Sequence, residues 1–415
     1  MILDKSDKYS IKQIICSIVL ALGGIVWFAN FSIGLYKIAL SIILLILCFD
    51  YILKPRIKQF KHLLLLIFAT IISNIITTYS NADYNYLILF AMVEHIFLFI
   101  IGYHFASNNL ITNKFIFSII LIIGTISSLT VTNYFIGIPN WVSPIENLRI
   151  EELAEQNITL DVMNLYSSGF GLGRTGWSTT LSLFIPLSLI CIERQYMPKT
   201  SKLLLCILLS SIIVSGSRGG MLSACTILLI YNFHYYKKGV SKKKILFTII
   251  IISIFTIILL LNIDSLMNYL RLDGEDVTSG RDKQYKLIPK MINEMGFWGL
   301  GQNGSKTFLI KHGVGHELHN SYFRNFIDNG WIVATLIFAY TWYIIKHTYK
   351  LSRSAIYKDE WLYSLILISG LISAMFEPYA IYCARSWYTI WWFTLGVFMY
   401  YKNNMINKSL YLINH

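Results

Sequence analysis

Residues 115–145 read FIFSIILIIGTISSLTVTNYFIGIPNWVSPI, and none of them carries a charge. Roughly 20 apolar residues span a bilayer core as a helix, so this stretch is long enough to cross one. Five further windows, Gln13 to Tyr36, Leu63 to Ala82, Thr175 to Ile192, Gly219 to Tyr236 and Ile245 to Ile263, also lack Asp, Glu, Lys and Arg. They belong to a chain of 415 residues that is 55% hydrophobic and 14% charged, with a mean hydropathy of +0.57. That composition excludes an ordinary soluble protein. Alternation of apolar and polar residues, the mark of a membrane barrel, is absent. A helical bundle is then the structure that satisfies every backbone group in lipid, and the expectation is an all-α, polytopic fold forming one integral-membrane domain over residues 1–415.

The apolar runs predict about twelve spans, near 13–31, 33–53, 63–79, 87–106, 115–136, 176–192, 203–215, 221–236, 245–262, 330–345, 361–377 and 387–401. Lysine and arginine set the orientation, because they accumulate in cytoplasmic loops. With the N-terminus inside, 22 of the 35 basic residues fall in inner segments, among them Lys54, Arg56, Lys58 and Lys61 and the run Lys237 to Lys244. Both termini are therefore expected in the cytoplasm. Two long loops then face outward, 137–175, which is acidic, and 263–329, the largest hydrophilic piece of the chain. Loops on a rigid scaffold carry function, so the outer face is the expected working face. The net charge of +13 is on this reading a topology signal. Its basic residues form no stripe or finger beside exposed aromatics, which argues against nucleic acid.

The remaining composition is quiet. Six cysteines, Cys16, Cys48, Cys191, Cys206, Cys225 and Cys383, form no C-x-x-C pair and read as packing residues. The segment from Tyr9 to Trp27 lacks a small-residue cleavage site and reads as an uncleaved first helix. Glu94 and His95 fall inside the fourth span, where ionisable groups are costly; a buried structural contact and a relay are equally open readings.

Three breaks in the apolar pattern carry candidate chemistry. Ser215-Gly-Ser-Arg218-Gly-Gly220 holds an arginine at a membrane rim among small neighbours. Its planar guanidinium suits phosphate, to which it donates two parallel hydrogen bonds; the alternative is a turn whose arginine snorkels into headgroups. In the large loop, Ser279-Gly-Arg281 precedes a run with helical spacing at Tyr285, Ile288 and Ile292, then Gly296-Phe-Trp-Gly-Leu-Gly301, then His316-Glu-Leu-His319-Asn320. The glycine-rich piece follows no βαβ pattern, so it is not a dinucleotide fingerprint. The two histidines are one residue short of H-E-x-x-H, and a cluster of His312, His316 and His319 is a weak metal candidate. No metal and no cofactor is expected. A histidine titrating near neutrality is the better candidate for a general base.

From Ser215 onward the chain resembles the O-antigen ligase and O-antigen polymerase superfamily of bacterial integral-membrane glycosyltransferases. His319-Asn320, nine residues and then Gly330 resembles that family's H-N-x9-G-x-x-G pattern, with Val333 in place of the last glycine. Arg218 and Arg281 resemble its two outer-face arginines, and Arg174, in Gly171-Leu-Gly-Arg174-Thr-Gly176, a weaker element. The resemblance implies a metal-independent, inverting transfer of glycan from undecaprenyl pyrophosphate to the sugar hydroxyl of a lipid-linked acceptor. Arg218 and Arg281 would hold the donor pyrophosphate and His319 would deprotonate the acceptor. Arg174, Asn320 and Arg385, the last in the loop after Pro378, would bind substrate. Polymerisation of O-antigen or capsular repeat units at the outer face of the bacterial inner membrane is the leading expectation, with a chain-length regulator as a further partner. Ligation to lipid A core or protein is the alternative within the same chemistry. A lipid-linked oligosaccharide flippase is the alternative of another class, although the notable charges lie at helix ends rather than at the midplane that transporters use.

Overall fold

The structure is a computed structural model, and it describes residues 10–23, 33–52, 61–81, 87–138, 150–151, 166, 173–237, 281–301, 303–314, 317–354, 359–378, 381–382 and 388–413. Among these the fold is helical throughout, with an isolated bridge between Gly296 and Gly299 as the one extended pairing. In chain order the helices are α1 (Ile11–Leu22), α2 (Ile33–Ile52), α3 (Lys61–Asn81), α4 (Leu87–Ser107), α5 (Asn113–Ile136), α6 (Gly173–Ser182), α7 (Ile185–Glu193), α8 (Pro198–Val214), α9 (Arg218–Lys237), α10 (Arg281–Glu294), α11 (Gly304–Lys311), α12 (Ser321–Ser352), α13 (Trp361–Ser373) and α14 (Thr389–Ile413). The expected span at 245–262 and Arg385 lie outside the described residues, as do His316 and most of the loop 137–175.

Most helices fall where the apolar windows predict them, with three informative differences. The window 176–192 is two helices, because Leu183 and Phe184 turn and Pro186 opens α7 at its first turn, where a missing N–H costs nothing. The window 361–377 overshoots: α13 ends at Ser373, and the apolar Ala374 to Phe376 continue as turn. Within α12, Gly330 breaks the helix at φ 78°, ψ −171°, dividing a nine-residue polar segment from the apolar run that follows.

The exterior is apolar. Ile46, Phe49, Leu65, Phe68, Leu203, Leu229, Phe233, Phe338 and Trp342 are exposed on helix surfaces, a pattern that water would penalise and lipid does not. Asn113–Ile136 and Gly173–Glu193 are long and apolar enough to cross a membrane, and α1 and α13 are shorter apolar helices. Small and hydroxylated residues let the helices approach. A Cβ added at Gly102 of α4 would run into the Phe393 carbonyl of α14, and one at Gly396 would meet the Tyr103 nitrogen at 2.6 Å. Ser182 of α6, Ser223 of α9 and Ser369 of α13 share a buried triangle of hydroxyl contacts at 2.8, 2.9 and 3.0 Å. Such contacts join helices where the hydrophobic effect gives no drive. Glu94 and His95 belong to this packing: Ser41 bonds the Glu94 carboxylate at 3.1 Å, and His95 stacks on Trp392 at 4.5 Å.

The helix ends group in two sets. Gln13 reaches the Leu110 carbonyl at 2.8 Å, Arg194 reaches Asn113 at 3.2 Å and Glu360 at 3.7 Å, and Tyr363 stacks near Tyr401. At the opposite ends of α9, α12 and α13, a second set of contacts builds the candidate site.

Candidate active site

The centre of the site is a turn with no catalytic side chain in its first residues, Ala374 to Phe376. Three helices begin against it. The Ser321 nitrogen at the start of α12 donates to the Ala374 carbonyl at 2.8 Å, and the Ser321 hydroxyl donates to the Glu377 carbonyl. Arg281, the first residue of α10, donates to the Phe376 carbonyl at 3.4 Å. Gly219, the second residue of α9, lies so close to Phe376 that an added Cβ would stand 2.8 Å from its Cβ. The starts of α9, α10 and α12, which carry Arg218, Arg281 and the pair His319-Asn320, thereby meet at one junction. Each of these residues is at a helix N-terminus, where backbone N–H groups and the helix dipole favour a negative ligand.

Each position has a local cause. Asn320 is the N-cap of α12, its side-chain oxygen accepting from Tyr322 N at 3.0 Å and Phe323 N at 3.1 Å. That oxygen is thus committed to the helix. Along α10 the buried face is Gln284, Ile288 and Met291, one helical stripe; Tyr285 is exposed, so the predicted stripe through Tyr285 and Ile292 is rotated. Ile288 and Met291 pack with Met295, Phe308, Leu309, Leu318 and Ile327 in a small core separate from the main one. Gln284 accepts from the His319 nitrogen at 3.4 Å. Arg281, one turn before Gln284, is carried to the same side.

The glycine-rich piece has a structural role. Breaking a helix at Gly330 strands backbone groups, and several of them find partners in residues 297–301 and in α3. Leu300 N bonds Ile327 O at 2.8 Å, Gly301 N bonds Asp328 O at 3.0 Å, and Trp331 N bonds Phe297 O at 3.1 Å. Ser73 of α3 donates to both Asn329 O and Trp298 O at 2.9 Å. The H-N-x9-G spacing is therefore one capped helical segment and its obligatory glycine exit.

Beneath that segment lies an ion cluster the sequence did not announce. Arg324, 6% exposed, pairs with Glu317 at 2.8 Å and Asp328 at 3.5 Å and donates to Asn303 at 3.1 Å. Asp328 in turn caps α11 through the Ser305 nitrogen at 2.8 Å; burial pushes its carboxyl up, against the pull of Arg324 and Ser305. Glu377, 7% exposed, was expected at the end of a span and instead stands in the turn that centres the site.

Electrostatics follow from this geometry. Burial, then the nearby Arg281 cation, push the His319 imidazole down to about 4, with Glu317 opposing. At neutral pH His319 is uncharged, and its Nδ1 has no hydrogen-bond partner among the described residues. Such a group accepts a proton rather than giving one. His312 is engaged elsewhere, at 2.8 Å from Lys290 and stacked on Phe308. Arg174 is half-buried at the start of α6, one turn before Ser178, against which Gly220 of α9 packs. It is thus joined to the Arg218 turn through α6.

Residues 203–338 match the family model described as O-antigen ligase. The match spans Arg218, Arg281, His319, Asn320 and Gly330 and stops short of Phe376 and Glu377. No curated protein and no solved structure matches the chain.

Proposed function

We propose that this chain, whose residues 203–338 match the family model described as O-antigen ligase, belongs to the O-antigen ligase and polymerase superfamily of enzymes acting on lipid-linked sugars and polymerises O-antigen or capsular repeat units. The observation that carries the reading is the meeting of three helix starts at the turn 374–377: that of α9 through Gly219, next to Arg218, that of α10 through Arg281, and that of α12 through Ser321, two residues after His319. Two guanidinium groups at helix N-termini suit the pyrophosphate of an undecaprenyl-linked donor, on which negative charge builds as the glycosidic bond breaks. His319 removes the proton from the acceptor sugar hydroxyl as that oxygen attacks the anomeric carbon, and the pyrophosphate leaves. A base opposite the leaving group favours inversion. No metal is needed for this balance of charge.

His319 is held neutral in part by Arg281. A diphosphate that neutralises Arg281 raises the proton affinity of His319 when a base is required. His319→Ala is expected to lower kcat by about 10²–10⁴. In the donor-free enzyme the depressed value sets the acid limb: kcat/KM falls as pH drops through about 4. An acid limb at the ordinary histidine value would contradict this environment.

Alternating basic residues, together with the grouping of Gln13, Asn113, Arg194 and Glu360 at the opposite end, support placing the site on the outer face of the bacterial inner membrane. The second reading, ligation to lipid A core, is favoured by the family description itself. A deletion strain separates the two. Loss of a polymerase leaves single repeat units on core, whereas loss of a ligase leaves none. The polymerase reading predicts the first pattern.

A further inference from the structure

We propose that Glu377 is a further diphosphate-binding group beside Arg281, its carboxyl group donating a hydrogen bond to a phosphate oxygen. The proposal rests on the reading of this junction as a pyrophosphate site. Glu377 is fixed by its own backbone, its nitrogen donating to Ser373 O at 3.1 Å and its carbonyl accepting from Ser321. The residue before it holds Arg281 through its carbonyl. Its side chain is buried, and no described residue hydrogen-bonds its carboxyl group.

The charged groups facing it are Arg281 of α10, Glu317 before α12 and Arg324 of α12, with the Tyr388 hydroxyl before α14. Arg324 is already paired with Glu317 and Asp328. Burial raises the Glu377 carboxyl to about 8, against the pull of Arg281, with Glu317 adding to the rise and Arg324 opposing it. At neutral pH it is therefore a hydrogen-bond donor, and a diphosphate beside it strengthens its hold on the proton. Ionised, it would place a negative charge against the donor's phosphates. The opposite assignment, a carboxylate that acts as counter-ion to Arg281, makes the contrary forecast for an amide at this position.

The test is equilibrium binding of farnesyl diphosphoglucose to the detergent-purified full chain from about pH 6.5 to about 9.5. This diphosphate diester keeps a constant charge over the range, and arginine does not titrate there. The wild-type Kd is expected to be flat near neutrality and to weaken about tenfold per pH unit above about 8. Glu377→Gln, which keeps a donor but cannot ionise, is expected to match the wild type within about threefold at neutral pH and to stay flat. A wild-type Kd flat over the whole range overturns the proposal, and this arm decides even if the variant does not fold. Binding by folded Glu377→Gln about tenfold weaker at neutral pH equally overturns it. Failure of the wild type to bind at neutral pH, or undiminished binding by Arg281→Ala, would instead sink the pyrophosphate site itself and the Glu377 role with it.

Discussion

Arg281→Ala is expected to lower kcat by about 10²–10³, equivalent to ~2.7–4 kcal/mol of barrier, the cost of losing one preorganised donor to a developing oxyanion. Arg281 begins α10, donates to the Phe376 carbonyl, and bears on both His319 and Glu377. Removing the cation therefore takes away charge stabilisation and returns His319 towards its ordinary pKa at the same time. Arg281→Lys is expected to recover little, because an ammonium is a point charge and cannot make the fork of parallel hydrogen bonds. Arg281→Ala should remain folded, since the buried face of α10 is Gln284, Ile288 and Met291. Steady-state turnover of a lipid-linked repeat, with a melting curve as control, checks both statements.

Gly330→Ala is expected to damage the fold through both strain and clash. The observed φ 78°, ψ −171° is a region that only glycine populates readily, and forcing another residue into it costs about 1–3 kcal/mol. The added Cβ would also lie 2.5 Å from Trp298 C and 2.6 Å from Gly299 N. Those are backbone atoms, held by the bonds that satisfy Ile327, Asp328 and Asn329, so they cannot yield without releasing the break in α12. A lower Tm in detergent and reduced yield of folded protein are expected. A Tm unchanged from the wild type would mean that residues 296–301 do not lock the helix.

The sequence was most legible where one physical quantity dominates. Absence of charge over 20 residues locates an apolar helix regardless of its neighbours, and α5 and α9 fall close to their windows. Where the chain turns without a change in polarity the signal is silent. Ala374 to Phe376 are as apolar as the helix they follow, so the apolar window runs past the end of α13 and takes in Glu377. Yet an ionisable group in an apolar window is itself a functional signal.

The site shows the same division. Arg218, Arg281, His319 and Gly330 were readable because each stands in a local pattern with a chemical reason. The Phe376 carbonyl, which joins two of those patterns, has no side-chain signature at all. The Arg324 cluster was equally hidden, because Glu317 and Arg324 meet only once Asn320 has capped α12 and turned the chain between them. Likewise, the glycines of 296–301 could be denied a nucleotide role from sequence. Their actual role depends on backbone bonds to residues some 30 positions later.

The central claim, that Arg281 and His319 act together in transferring glycan off undecaprenyl pyrophosphate, is tested most directly with purified protein and one undecaprenyl-pyrophosphate-linked repeat unit, without nucleotide sugar or ion gradient. The wild type is predicted to lengthen the glycan and release one undecaprenyl pyrophosphate per bond formed, while folded Arg281→Ala and His319→Ala release almost none. Release by either variant at the wild-type rate, or no release by the wild type, would contradict the account.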